Sequence, residues 1–165
     1  MRPPMIFALF ACRKATAAAE MALVTPLLII LMFGSFELGN YFLSEHVVVK
    51  AVRDGARYAG RQSFTTMPCG GVATNETQIK NLVRTGSLAG TSPRLSGWTN
   101  NATITVAITC EPTASGYSGI YKGMTDVPIV TVSASVPYSS LFNELGFSSS
   151  SLLLDAESQS AVMGL

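Results

Sequence analysis

The stretch Met21–Leu43, MALVTPLLIILMFGSFELGNYFL, constrains every other reading of this chain. It is long enough for a helix to cross the hydrocarbon core of a bilayer. Glu37 is the only charge inside it, close to its end, where an acidic side chain reaches an interface at least cost. Pro26 falls in its first turns and is expected to kink or loosen the helix there. Arg2, Arg13 and Lys14 are the only charges before Glu20. Basic residues ahead of an apolar span favour a cytoplasmic N-terminus. The rest of the chain, beyond the span, is then exported.

The helical pattern runs on past the apolar block. Val47, Val48, Ala51, Val52, Gly55, Ala56 and Ala59 recur at helical spacing, with Ser44 ahead of them. Lys50, Arg53, Asp54, Arg57 and Arg61 fall on the other side. One long helix over residues 16–60 is expected, with the face from Ala51 to Ala59 serving as an ordinary core face. Residues 62–73 are a loop by composition. A short helix is expected from Asn75 to Arg84. Asn75 would cap it, Gln78 sits three positions on, and Gly86 ends it. Ile79, Leu82 and Val83 would form its apolar face. Residues 86–101 read as a loop around Trp98.

From there the period changes to two, which marks strands over residues 102–110, 128–138 and 151–162. Strands in succession without intervening helices predict an antiparallel sheet. The expected fold is therefore α+β: a long N-terminal helix, transmembrane and then amphipathic, packed on a small antiparallel sheet. The expected organisation is a leader over residues 1–15, the helix over 16–60, and an exported α+β domain over 61–165.

Composition narrows the function. From Thr16 onward there are eight basic and ten acidic residues, a net of −2. No basic patch with interleaved aromatics is present, so nucleic acid is not an expected partner. His46 is the only histidine, and it lies on the helix just beyond the apolar run. A lone histidine there reads as a surface or interface residue. No GxSxG, HExxH, CxxC or phosphate-binding glycine loop occurs, so neither catalytic, metal nor cofactor-binding residues are expected. Leu9-Phe10-Ala11-Cys12 only faintly resembles a lipoprotein box, because the longer apolar run comes after it. Asn75-Glu-Thr and Asn101-Ala-Thr match the glycosylation sequon, which matters only for a chain made in the endoplasmic reticulum. Cys12 precedes the span, whereas Cys69 and Cys110 come after it. Two cysteines in an oxidising compartment usually pair, so a Cys69–Cys110 disulfide is expected, with two buried free thiols as the alternative.

The joint between leader and span is the most distinctive motif. It reads Arg13-Lys14-Ala15-Thr16-Ala17-Ala18-Ala19-Glu20-Met21-Ala22-Leu23: basic residues, then small ones, then one glutamate at the start of the apolar helix. Phe33-Gly34-Ser35-Phe36-Glu37-Leu38-Gly39 and Ala51-Val52-Arg53-Asp54-Gly55-Ala56-Arg57-Tyr58-Ala59 come next. Together with the late segment Val130–Tyr138, these stretches resemble type IV prepilins, and most closely the TadE-like pseudopilins of the Tad (Flp) pilus system. The resemblance is dense over residues 13–60 and looser beyond. It implies a pilin-like fold and cleavage by a prepilin peptidase between Ala15 and Thr16, with Glu20 the fifth residue of the mature chain. Where that family usually carries glycine before the cut, this chain has Ala15, which keeps the small size. A carboxylate at the mouth of a lipid-embedded helix is costly unless paired. The new α-amino group at Thr16 stands one turn away, and could neutralise Glu20 on the same subunit or a neighbour. The alternative is a Glu20 that simply marks the boundary among headgroups.

The reading is thus a non-enzymatic, pseudopilin-like component of a bacterial Tad-type pilus or secretion assembly. Its partners would be the inner membrane, the prepilin peptidase, and other pilin or pseudopilin subunits and pilus-assembly proteins. It would be a single-pass protein with the C-terminal domain periplasmic or extracellular. The main rival is a membrane-anchored periplasmic binding or adaptor protein that never enters a filament. An anchored hydrolase using serine is the enzymatic rival.

Overall fold

The computed structural model describes residues 13–112, 119–143 and 151–164; the side chains of residues 13–15 are not part of that description. Arg2, Cys12 and the lipoprotein-like segment Leu9–Cys12 lie outside the described residues. The elements run α1 (Arg13–Gly60), α2 (Glu76–Thr85), β1 (Ile104–Pro112), β2 (Asp126–Pro137) and β3 (Leu153–Ala161). Single 3-10 turns at Asn101–Thr103 and Gly119–Tyr121 precede β1 and β2. The expected α+β architecture is present: a long apolar N-terminal helix and a three-stranded antiparallel sheet in the order β1-β2-β3.

The chain divides into two compact units, Met1–Gly39 and Asn40–Leu165. In the first, the helix runs through Pro26 without interruption. Among its described residues no side chain is buried, and Leu23 is 80% exposed. Its hydroxyls are turned inward along the backbone. Thr25 Oγ1 donates to the Met21 carbonyl (2.6 Å) and Ser35 Oγ to the Met32 carbonyl (2.8 Å). Such back-bonding is how a hydroxyl avoids an unsatisfied state where water is absent.

The second unit contains the core. Along α1, Val48, Ala51, Val52, Gly55, Ala56 and Ala59 are buried, as their spacing predicts, while Lys50, Arg53, Arg57 and Arg61 are exposed. The inward row of β2, Val130, Val132, Ala134 and Val136, joins the same cluster with Tyr138 just past the strand and with Ile79 and Val83 of α2. Close approach is possible because α1 presents alanine and glycine here. A Cβ on Gly55 would strike Val83 and come within 3.6 Å of Val132 Cγ1. At the end of α1, a Cβ on Gly60 would meet Ser160 and the Ala161 carbonyl of β3. The chain's last described residues fasten this corner. Val162 N–H donates to the Pro128 carbonyl (2.9 Å) and Met163 N–H to the Gly60 carbonyl (2.7 Å).

Three expectations shift on contact with the structure. Asn75 does not cap α2 through its side chain. Its side-chain Nδ2 donates instead to Gln62 Oε1 (3.1 Å), while its backbone carbonyl accepts from Gln78 N–H (3.0 Å) and Ile79 N–H (3.2 Å). Its Oδ1, the atom that would cap, is buried and accepts no hydrogen bond among the described residues. The other end is as expected: Gly86 takes φ 78°, which favours glycine, and its N–H donates to the Leu82 carbonyl (2.8 Å). Second, β1 starts at Ile104 because Asn100 Oδ1 accepts from Ala102 N–H (2.8 Å) and winds residues 101–103 into a turn. The strand then continues to Pro112, paired with Asp126 of β2. Third, Leu152 precedes β3 and stays 48% exposed; the inward row of that strand begins at Leu154.

The loop around Trp98 is well anchored. Trp98 is buried, and its Nε1–H donates to Thr103 Oγ1 (2.8 Å). Arg94 Nη1 and Nη2 both donate to Asp54 Oδ2 at 3.2 Å, tying the loop to α1. Arg84 Nε donates to Asn101 Oδ1 (2.6 Å), and Asn101 Nδ2 to Asn81 Oδ1 (2.8 Å). Cys69 and Cys110 form a disulfide with a Cα–Cα distance of 5.6 Å, within the ordinary range. It joins the exposed loop after α1 to β1 across a sequence separation of 41 residues.

Candidate processing and assembly segment

Ala15 and Thr16 lie in the first turn of α1, which begins at Arg13. Glu20 stands one turn later and is exposed. A separation of four residues puts Thr16 and Glu20 on one face of a helix, one above the other. Among the described residues, no lysine or arginine forms an ion pair with Glu20. The arrangement presents a carboxylate at the rim of an apolar surface, which suits it to a cationic group on the same face.

That apolar surface continues from Met21 to Leu43. Met21, Ala22, Thr25, Pro26 and Ile29 line a shallow apolar groove along it. Beyond it, a Cβ on Gly34 or Gly39 would meet no other atom of the chain within 4 Å. Among the described residues one helix, Thr16–Gly60, is long and apolar enough to cross a membrane.

At the start of the second unit the polar contacts begin. Asn40 Nδ2 donates to Tyr138 Oη (2.8 Å), and the ring of Tyr138 stands edge-on to Tyr41 with centroids 5.2 Å apart. This contact joins α1 to the end of β2 and was not visible in the sequence, because its members are 98 residues apart. His46 is exposed, and shares the outer side of α1 with Lys50, Arg53 and Arg57. No group of three or more His, Cys, Asp or Glu side chains is placed to hold a metal ion among the described residues.

These features define an α+β protein led by one apolar helix whose apolar block, among the described residues, holds no buried side chain. Residues 15–57 match the model of the family described as TadE-like protein. The matched stretch takes in Ala15, Thr16, Glu20, the apolar run and the amphipathic segment through Arg57, so the resemblance seen in the motifs is shown over these residues. No curated protein and no solved structure matches the chain.

Proposed function

We propose that this chain is a non-enzymatic, pseudopilin-like component of a bacterial Tad/Flp pilus assembly or secretion system. Prepilin peptidase cuts between Ala15 and Thr16, the helix resides in the inner membrane, and the α+β domain faces the periplasm or the exterior. The observation that carries the reading is the TadE-like match over residues 15–57, which spans the joint, the uncovered apolar helix and its extension. A helix with no buried side chain over its apolar block needs lipid or other helices to cover it. Glu20 gives that helix a polar rim on which the new α-amino group, or that of a neighbouring subunit, docks.

The second reading is a membrane-anchored adaptor that keeps its leader. Ala15, in place of the usual glycine, is the observation that favours it. The N-terminal residue of the mature protein separates the two. Edman or mass-spectrometric assignment of Thr16 as residue one supports the pseudopilin-like reading, and an intact leader assigns the adaptor role.

A further inference from the structure

Two surfaces of the second unit carry charge beyond its local ion pairs Glu76–Lys80 and Asp54–Arg94. Lys50, Arg53 and Arg57 succeed one another along α1 at spacings of three and four residues, which keeps them on one stripe, and Arg61 follows just past the helix end. All four are exposed. The opposite face of the helix, at Val52, Gly55 and Ala59, is buried against the sheet and α2, so the stripe points away from the sheet. The far surface of the sheet has the other sign. Its outward rows mix threonine, serine and alanine with Ile129, Pro137, Leu153 and Gln159, and carry Glu111, Asp155 and Glu157 as their charges. Asp155 stands across from Ser135 and Glu157 across from Ser133, so both rise above a floor of small side chains. Among the described residues, none of these basic or acidic groups has an ion-pair partner; the ion pairs formed are Glu76–Lys80 and Asp54–Arg94.

We propose that the occupant of the basic stripe is a second copy of this chain, docked through the acidic outer face of its sheet. This rests on the reading that the chain enters an assembly, and it names the surfaces used. The spacings agree: Arg53 and Arg57 are separated by a helical rise of about 6 Å. Asp155 and Glu157, two residues apart on one strand, are separated by about 6.8 Å. A helix laid along β3, beside Ser133 and Ser135 of β2, brings both pairs into register together. The two surfaces lie on opposite sides of the same unit, so each copy offers one and accepts with the other. Such a contact is heterologous, and it propagates rather than closing on a dimer.

The test uses full-length chains in membranes, with Cys12→Ser so that the Cys69–Cys110 pair holds the remaining cysteines. Two differently tagged copies are co-expressed, one carrying Arg57→Cys and the other Glu157→Cys, and are oxidised briefly. A mixed-tag disulfide dimer is expected. Arg53→Glu in the first copy should lower its yield at least tenfold, and Asp155→Lys in the second copy should bring most of it back. Rescue by the reversed pair also shows that both variants are folded. Absence of the mixed dimer, or loss on Arg53→Glu without rescue, overturns the self-contact and leaves the stripe to another anionic surface. The N-terminal residue is read from the same sample. A processed chain without the mixed dimer counts against this contact alone, and a mixed dimer between chains that keep their leader counts against processing alone.

Discussion

Gly55 of α1 lies directly against Val83 of α2, with no room for a Cβ between them. Val132 of β2 and Ile79 of α2 close the other sides. The long helix therefore meets the short helix and the sheet at a point where only hydrogen fits. This is why the run Ala51, Gly55, Ala56, Ala59 is small-sided and wholly buried.

Substitution at Gly55 sets two effects against each other. Alanine in place of glycine favours a helix by about 1 kcal/mol. Overpacking a closed core costs about 1–3 kcal/mol. The rigid neighbour Val83 makes the second effect the larger, so Gly55→Ala should lower the thermal midpoint of the α+β domain. Val83→Ala alone creates a void and also destabilises. The double variant should be more stable than the sum of the single effects predicts, because the new methyl enters the space the valine left. A double-mutant cycle from thermal unfolding measures this coupling; strict additivity would mean the two residues do not share that space.

The disulfide should matter more for stability than for shape. It closes a loop of 41 residues between an exposed loop and β1, worth about 4 kcal/mol on the chain-entropy model. Replacing both cysteines by serine should lower the denaturant midpoint of the domain substantially. Non-reducing mass spectrometry should show the peptides of Cys69 and Cys110 linked in native material. Recovery of two alkylatable thiols there would place the domain in a reducing compartment.

The basic residues before the apolar span predict that the α+β domain is exported. Thr91 is exposed in the loop tied to α1 by Arg94, away from the core. With Cys12→Ser and the native disulfide kept, Thr91→Cys provides one free thiol. An impermeant maleimide should label it in spheroplasts without lysis. Labelling only after lysis would put the domain in the cytoplasm and reverse the orientation.

Which parts of this molecule could be read from its sequence depended on how local their causes are. The helix period along Val48–Ala59 and the alternation along Val130–Tyr138 are local and repeated, and both faces are buried as written. Gly86 was legible because a left-handed C-cap demands glycine at one position. Asn75 was not, because its orientation is set by a bond from Nδ2 to Gln62, a residue that no capping pattern includes, and its Oδ1 does not cap. Arg94 and Asp54 are 40 residues apart and carry no shared pattern, so their pairing had no sequence signal at all. The Cys69–Cys110 pair was legible only by exclusion, as the two cysteines beyond the span. The processing joint is the opposite extreme. Basic leader, small residues and Glu20 are contiguous, so the sequence displays the whole segment without help from tertiary contacts.

Two substitutions at that joint should fail in different ways. Ala15→Leu puts a bulky side chain just before the proposed cut. The chain should remain unprocessed and keep Arg13 and Lys14. Such a chain stays anchored, because drawing two positive charges into lipid costs several kcal/mol. It should accumulate in the membrane fraction at its precursor mass and be missing from assemblies. Glu20→Ala should behave otherwise. Removing a carboxylate from the start of the span makes insertion easier, and the residues on either side of the cut are untouched, so processing and insertion should proceed. What is lost is the group that holds the α-amino terminus of Thr16 or of a neighbouring copy, one turn away on the same helix face. The mature chain should therefore be found in the membrane but not in the assembly fraction. A single gel of both fractions, with intact masses of the bands, reads all of these outcomes. Assembly of Glu20→Ala at the level of the parent would rule out the pairing role of the carboxylate, and would leave it as a mark of the lipid boundary.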